Sequence, residues 1–99
     1  MANKLIWSPE SLEDIESIAE YIARDSRFYA ESTVNKIFEA AQPLLRHPEL
    51  GRVVPEINNE NMREVFVSQY RIIYQFRDKE IHILTVIHGK RNFQKDQMT

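Results

Sequence analysis

The spacing of apolar residues changes at Gly51, and this change constrains the fold more than any other feature of the sequence. Before Gly51 apolar residues recur every three or four positions, which is the period of an amphipathic helix. After Gly51 they fall in short runs rich in β-branched and aromatic residues, as in strands. Because 99 residues leave room for one domain, we expect a single α+β domain over residues 1–99.

A short strand and a first helix are predicted at the start of the chain. Residues 4–7 form an apolar run that reads as a strand. Ser8 before Pro9 fits a helix N-cap followed by proline at the first helical position. One apolar stripe then continues for about four turns through Leu12, Ile15, Ile18, Ala19 and Ile22.

A second helix follows after a very short connection, so the two helices should form an antiparallel hairpin. Asp25 and Ser26 break the pattern and offer the second N-cap. Pro43 leaves two possibilities open, a kink in the helix or an end near Ala41, because proline removes a helical hydrogen bond. The apolar positions of this helix are Ala30, Val34, Ile37, Phe38, Ala41, Leu44 and Leu45.

The second half predicts three or four strands in a mainly antiparallel sheet, with the helices covering one side of it. Asp78 and Lys79 separate two runs as a tight hairpin turn, and residues 56–61 form a polar loop. Strict alternation predicts that Ile81, Ile83, Thr85 and Ile87 share one face. The predicted strands are residues 52–54, 63–68, 70–77 and 80–88.

Several classes of protein are excluded by composition. The chain has no cysteine, which excludes a disulfide scaffold and a thiolate zinc site. The histidines His47, His82 and His88 lack metal-ligand spacing, so we expect no metal. Two glycines do not build a phosphate cradle, and we expect no cofactor. Without a signal peptide or membrane span, a cytoplasmic protein that makes no membrane contact is expected.

Charge is distributed unequally along the chain. The formal net charge is −2, but residues 1–50 carry five basic and nine acidic side chains (5 − 9 = −4), whereas residues 51–99 carry eight and six (8 − 6 = +2). The helices are therefore acidic and the sheet half is basic. This asymmetry predicts that an acidic or polyanionic partner docks on the basic half, although two solvated faces would give the same count.

Basic residues in the sheet half are the candidate functional groups. Arg63 and Arg71 could each present a guanidinium to a phosphate or carboxylate, or could pair across strands with Glu56, Glu64 or Glu80. Lys90 and Arg91 follow the last strand as a basic pair. His88 could act as an acid or base, or could simply end its strand with a hydrogen bond.

Most aromatic residues lie at apolar positions of the helical or strand pattern and are predicted to be core residues. Tyr70 and Phe93 do not fit this pattern, and either could stack on a base or on a partner's side chain. The predicted core aromatics are Trp7, Tyr21, Phe28, Phe38, Phe66, Tyr74 and Phe76.

The chain from Leu5 to Arg91 resembles the RelE/ParE superfamily of bacterial type II toxin–antitoxin toxins, and within it most resembles ParE. Each motif alone is weak, but their order and spacing over about nine-tenths of the chain are specific. The matching segments are Ser8-Pro9-x-x-x-Leu12-x-Asp14-Ile15, Ile18-x-x-Tyr21-Ile22, Leu45-x-x-Pro48-x-x-Gly51-Arg52, Arg63-Glu64-Val65, Tyr70-Arg71-Ile72-Ile73-Tyr74 and Ile83-Leu84-Thr85-Val86-Ile87-His88-Gly89-Lys90-Arg91.

This resemblance implies a toxin held silent by a cognate antitoxin in a hetero-oligomer, with the antitoxin expected to be a ribbon-helix-helix protein. Two activities occur on the fold, with the ribosome or DNA gyrase as the target. RelE-like members cut messenger RNA in the ribosome, whereas ParE-like members poison gyrase. Such systems arrest growth and stabilise plasmids. A third possibility is a non-toxic module that only binds the antitoxin.

The residues favour gyrase poisoning, and therefore a protein that is not an enzyme. Nuclease members of the family typically carry a lysine- or glutamate-bearing segment before the centre of the sheet and a C-terminal tyrosine or His-Tyr. Here the middle segment offers Arg52 and Glu56 without a lysine pair, position 93 is Phe, and His88 is followed by Gly89. A net charge of −2 also disfavours ribosome binding, because phosphate contacts dominate it. The expected target-binding residues are Arg52, Arg71, Lys90 and Arg91; a nuclease would instead use Arg63, Arg71, His88 and Arg91.

Overall fold

A computed structural model describes residues 1–93 of the chain. The single domain predicted over residues 1–99 thus extends to six residues that lie outside the described part. Within it, the helical and strand halves meet at Gly51 as the sequence predicts. The elements are β1 (Lys4–Trp7), α1 (Pro9–Ala23), α2 (Arg27–Ala41), a 3-10 helix (Gln42–Leu45), β2 (Arg52–Val53), β3 (Met62–Val67), β4 (Tyr70–Arg77) and β5 (Glu80–His88).

One sheet contains all five described strands, in the order β1-β5-β4-β3-β2. β2 to β5 pair antiparallel with their neighbours, while β1 pairs parallel with the first half of β5. The α1–α2 hairpin covers one face. This arrangement confirms the predicted α+β fold with a mainly antiparallel sheet, and the N-terminal strand makes it five-stranded.

Both helices begin at the predicted serine caps. Ser8 Oγ accepts a hydrogen bond of 3.0 Å from the N–H of Ser11, and Pro9 occupies the first turn, where its missing N–H costs nothing. Ser26 Oγ accepts a hydrogen bond of 3.2 Å from the N–H of Tyr29. Regular α-helix ends at Ala41, and Pro43 lies in the 3-10 helix that follows. Of the two possibilities, α2 therefore ends at Ala41 and is not a longer helix kinked at Pro43.

The β4–β5 hairpin turns at Asp78 and Lys79, as predicted. Both residues have positive φ angles, 53° and 60°, which a two-residue hairpin turn of type I′ requires. Neither is glycine, so the turn forms despite the cost of this backbone conformation for residues with a side chain.

A β-bulge makes the predicted alternation of β5 wrong beyond Ile83. Ile73 of β4 pairs with Thr85 while the next residue, Tyr74, pairs with Ile83, so Leu84 has no partner on β4. The extra residue shifts the faces that follow it. Val86 joins Ile81 and Ile83 under the helices, whereas Ile87 packs in a second apolar cluster on the other face.

α1 also protects the half of β5 that β1 leaves unpaired. Ser8 Oγ donates a hydrogen bond of 2.9 Å to the carbonyl of Leu84. Asp14 Oδ2 accepts from the backbone N–H of Val86 at 3.0 Å and from the hydroxyl of Thr85 at 2.5 Å. A side chain of the first helix thus replaces the missing neighbouring strand, which blunts an open sheet edge.

Three of the predicted core aromatics are on the surface. Tyr21, Phe28 and Phe66 are 67%, 74% and 51% exposed, because the helical hairpin is covered on one side only and Phe66 faces away from the helices. Leu12, predicted in the buried stripe of α1, is exposed as well. Phe93 is the opposite case, since it is 1% exposed and forms part of the second apolar cluster instead of a stacking platform.

No helix among residues 1–93 has both the length and the apolar character needed to cross a bilayer.

Candidate functional site

The face of the sheet turned away from the helices carries a chain of four charged side chains. The register places Arg52 opposite Glu64, and Arg71 between Phe66 and Ile87, so these side chains share one face. Beside them lies the second apolar cluster, formed by Val54, Met62, Ile73, Ile87 and Phe93. We call this surface the open face.

Arg71 lies at the centre of the open face and is 5% exposed. Its Nε donates to Glu64 Oε1 at 2.6 Å. Its two terminal nitrogens donate to the two carboxylate oxygens of Glu56 at 2.8 and 2.9 Å, which is a bidentate pair. One of them also donates to the backbone carbonyl of Arg91 at 2.9 Å. Of the alternatives for Arg71, cross-strand pairing is therefore the one present.

Glu64 links Arg71 to a second arginine. Its side chain is fully buried, and its Oε2 accepts from Nε of Arg52 at 2.6 Å. Arg52 is 61% exposed, and its guanidinium lies 5.1 Å from the centre of the Phe66 ring. The charges therefore alternate along Arg52, Glu64, Arg71 and Glu56. Because it contains two arginines and two glutamates, this network of four side chains has no net charge.

Hydrogen bonds keep Glu56, the outermost member of this network, ionised. The bond from Arg71 lowers the pKa of Glu56 to about 2, although partial burial acts in the opposite direction. The backbone N–H of Phe93, 2.9 Å from Glu56 Oε2, lowers the pKa further. The Glu56 pair in turn raises the pKa of Arg71. Both members are therefore charged throughout the physiological range.

The other predicted site residues lie around this network. Arg63 has the opposite orientation on β3, and its guanidinium donates to the carbonyls of Glu60 and Gly51 at 3.0 and 2.9 Å. Arg63 thus stabilises the backbone at Gly51 and Glu60 and is not part of the network around Arg71. Lys90 and Arg91 lie beyond the end of β5, and both side chains are exposed.

His88 ends β5, and its Nδ1 accepts a hydrogen bond of 3.2 Å from the N–H of Lys90. Its ring lies 6.1 Å from that of Tyr70 at an angle of 78°. Both rings line a shallow cleft of about 380 Å³ between α1 and the end of the sheet, together with Tyr21 and Arg91. His88 therefore ends its strand with a hydrogen bond, which is one of the two roles that the sequence allowed for it. Its side chain remains accessible from solvent.

Comparison with known proteins places this fold and motif set in a family. The family model of the "ParE toxin of type II toxin-antitoxin system, parDE" matches residues 5–93. The chain belongs to the ParE toxin family. The superfamily resemblance seen in its motifs is thereby confirmed.

The proteins similar to this ParE-family chain carry RelE as well as ParE names. It is 30% identical over 89 residues to toxin RelE2 of Caulobacter vibrioides, covering 89% of this chain and 97% of that toxin. A solved structure of the chromosomal ParDE system of P. aeruginosa has a TM-score of 0.73 at 21% identity, over 88% of this chain and 96% of that one. A mutant of E. coli toxin RelE in the free state has a TM-score of 0.61 at 15% identity, over 91% and 86%. The two solved structures share the fold.

The ParE-family chain also carries an apolar groove on its helical hairpin. The groove has a volume of about 520 Å³ and runs between α1 and α2. Ala19, Ala23, Ala30 and Val34 line it, with charged side chains alongside. Near the hairpin end Phe28 and Tyr29 form an exposed edge-to-face pair with ring centres 5.5 Å apart.

The structure shows no metal-binding cluster among residues 1–93. No group of three or more histidine, aspartate or glutamate side chains is arranged there to hold an ion. The sequence left Glu56 and Glu64 among the possible partners of Arg71, and the structure shows that Arg71 binds both carboxylates. For Glu64 the signal is an acid on the predicted strand next to a mid-strand arginine, whereas Glu56 lies in the polar loop predicted over residues 56–61 and carries no such signal.

Proposed function

We propose that this ParE-family toxin arrests growth by poisoning DNA gyrase, and that it acts by binding rather than by catalysis. The observation that carries the proposal is the internal pairing of Arg71. A nuclease on this fold would need free basic groups to stabilise the charge of a reacting phosphate. Here the most central arginine has both ends of its guanidinium occupied by Glu56 and Glu64.

Charge on the open face supports the same proposal. Glu64 is buried between Arg52 and Arg71, so it cancels much of the positive potential that an RNA phosphate would meet. The net charge of the whole chain is −2. Since phosphate contacts dominate the affinity of proteins for nucleic acids, this charge distribution favours a protein as the target.

Lys90 and Arg91 are the proposed centre of the target-binding surface, with Arg52 at its edge. Both lie just beyond β5 with exposed side chains, while Arg52 is 61% exposed despite its bond to Glu64. Exposed cations raise association rates with an acidic protein surface and set the orientation of docking.

A supercoiling assay with purified gyrase tests this function. We expect the toxin to block supercoiling or to trap cleaved DNA, with no cuts in ribosome-bound messenger RNA. Active gyrase together with cuts in the messenger would overturn the proposal in favour of a nuclease. Normal growth of cells that express the toxin without antitoxin would instead favour a non-toxic binding module.

One observation supports ribosome-dependent RNA cleavage as a second candidate. His88 is accessible in a cleft that also contains Tyr70 and Arg91, so a proton-transfer group lies beside a cation. If His88 transfers a proton, replacing it by Ala should lower messenger cleavage by ~10²-fold or more. His82→Ala is the matched control, because His82 lies on the same strand and contacts Glu80 at 3.2 Å.

The proposed partner is a cognate antitoxin of the ribbon-helix-helix type, acting in the cytoplasm where gyrase and ribosomes are found. The groove between α1 and α2 has the apolar lining that an amphipathic helix requires. Ala23→Glu should therefore weaken binding to the product of a neighbouring antitoxin gene, measured by calorimetry. Lys36→Glu, an exposed position on α2 outside the groove, should leave binding unchanged.

A further inference from the structure

Three hydrogen-bond donors from two distant parts of the chain, two on Arg71 and one on Phe93, converge on the carboxylate of Glu56. The two terminal nitrogens of Arg71 approach the two oxygens of Glu56 at 2.8 and 2.9 Å. The backbone N–H of Phe93 approaches one of these oxygens at 2.9 Å. A guanidinium fork with a backbone N–H beside it is a common way to bind a carboxylate that comes from another molecule.

The donors are held rigidly, whereas the carboxylate comes from the surface. Arg71 is fixed from below by fully buried Glu64 and from the side by the carbonyl of Arg91. Phe93 is anchored because its ring is 1% exposed. Glu56 belongs to the irregular segment between β2 and β3, and its side chain is 24% exposed. Its carboxylate can therefore leave without breaking the pairing between strands.

We propose that Arg71 and the N–H of Phe93 form a carboxylate-binding site which Glu56 occupies in the isolated chain, and that an acidic side chain of a partner protein replaces Glu56 there. The proposal does not depend on whether gyrase is the target. A carboxylate fits because each of its two oxygens meets one nitrogen of the Arg71 fork, as the oxygens of Glu56 do.

Electrostatics favours replacement of the Glu56 carboxylate by another carboxylate over a site that stays empty after Glu56 leaves. When the Glu56 carboxylate leaves, the remaining side chains of Arg52, Glu64 and Arg71 carry one excess positive charge. Two further cations, the exposed side chains of Lys90 and Arg91, come just before Phe93 in the sequence. An incoming anion is therefore attracted. Because Glu56 competes for the same donors, the wild-type chain binds an external carboxylate more weakly than a chain without this side chain.

Acetate binding to Glu56→Ala tests the proposal. The matched control is Glu60→Ala, which removes an exposed carboxylate from the same segment without altering the Arg71 pairs. Each protein is titrated with sodium acetate at constant ionic strength set by sodium chloride. The readouts are the amide NMR signal of Phe93 and the thermal unfolding midpoint. We expect saturable changes in both for Glu56→Ala, with half-saturation at least ~10-fold lower than in wild type and in Glu60→Ala.

Equal responses of Glu56→Ala and Glu60→Ala would overturn the proposal. A response of Glu56→Ala to phosphate and not to acetate would overturn the assignment of the ligand as a carboxylate. If Glu56→Ala does not fold, the same titration is made with Glu56→Gln, whose neutral amide keeps the volume of the side chain but holds the Arg71 fork less strongly. A saturable shift of the Phe93 signal by acetate in that variant, at lower concentration than in Glu60→Ala, supports the proposal, and its absence overturns it.

Discussion

The hydroxyl of Tyr74 accepts a hydrogen bond of 3.0 Å from the backbone N–H of Gly51, 23 residues earlier in the chain. The same hydroxyl donates to the carbonyl of Pro48 at 2.7 Å. One buried side chain of β4 thus holds the turn that leads from the helical half of the molecule into the sheet, and burial raises the pKa of Tyr74. Two separate sequence motifs, one with Pro48 and Gly51 and one with Tyr74, therefore belong to a single structural unit.

Tyr74→Phe should destabilise the fold. The substitution leaves the Gly51 N–H and the Pro48 carbonyl without their partner in a buried place, and an unsatisfied buried group costs about 1–3 kcal/mol. Urea unfolding measures the free energy. Tyr29→Phe, at a position 64% exposed, should change it little. Equal unfolding midpoints for Tyr74→Phe and wild type would contradict a structural role of this hydroxyl.

Gly51→Ala should also be destabilising, for a steric reason. A Cβ atom at Gly51 would lie 2.5 Å from the carbonyl oxygen of Glu64 and 2.8 Å from the Tyr74 hydroxyl, and the first of these is backbone. Overpacking of this kind costs about 1–3 kcal/mol. Gly89→Ala serves for comparison, since its nearest contact would be 3.2 Å and its cost should be smaller. Thermal unfolding of both variants decides the order.

Local patterns predict more of the fold than of the site. The serine caps and the Asp78–Lys79 turn each depend on a few adjacent residues, and each is confirmed; of the two possibilities left open at Pro43, the structure shows the end of α2 at Ala41. The bulge at Leu84 and the burial of Phe93 depend on contacts between distant strands and segments. Periodicity does not contain that information, so the predicted faces of β5 fail beyond Ile83.

The site shows the same limit. The sequence identified Arg71 as a mid-strand arginine that needs a partner, but it left both partner and purpose open. Glu64 follows from strand register, whereas Glu56 reaches Arg71 only through the course of an irregular segment. A charged residue's availability to a target is therefore a three-dimensional property: both arginines were expected to bind the target, but Arg71 is buried and paired whereas the side chain of Arg91 is exposed.

Acid should weaken the fold through Glu56. Its pKa is about 2 in the folded chain and near its ordinary value of 4.5 when unfolded, so the unfolded chain binds a proton first as the pH falls. The stabilisation from this group is complete above pH 4.5 and is lost progressively between pH 4.5 and about 2. Urea unfolding across this range should show a steeper decline for wild type than for Glu56→Gln. Parallel curves for the two proteins would show that the Arg71 pair contributes nothing to the pH dependence.

Loss of the two exposed cations beyond β5 should reduce the proposed inhibition of gyrase without unfolding the toxin. Lys90→Ala and Arg91→Ala together remove charge from the proposed docking surface, but they preserve the Arg91 backbone carbonyl that Arg71 requires. We expect the concentration needed for half-inhibition of supercoiling to rise by ~10-fold or more, and to depend less on salt than in wild type. Arg77→Ala is the control, because Arg77 is an exposed cation at the opposite end of β4. If the control loses as much inhibition as the double variant, the surface around Lys90 and Arg91 is not the docking site, and a general effect of charge accounts for the loss.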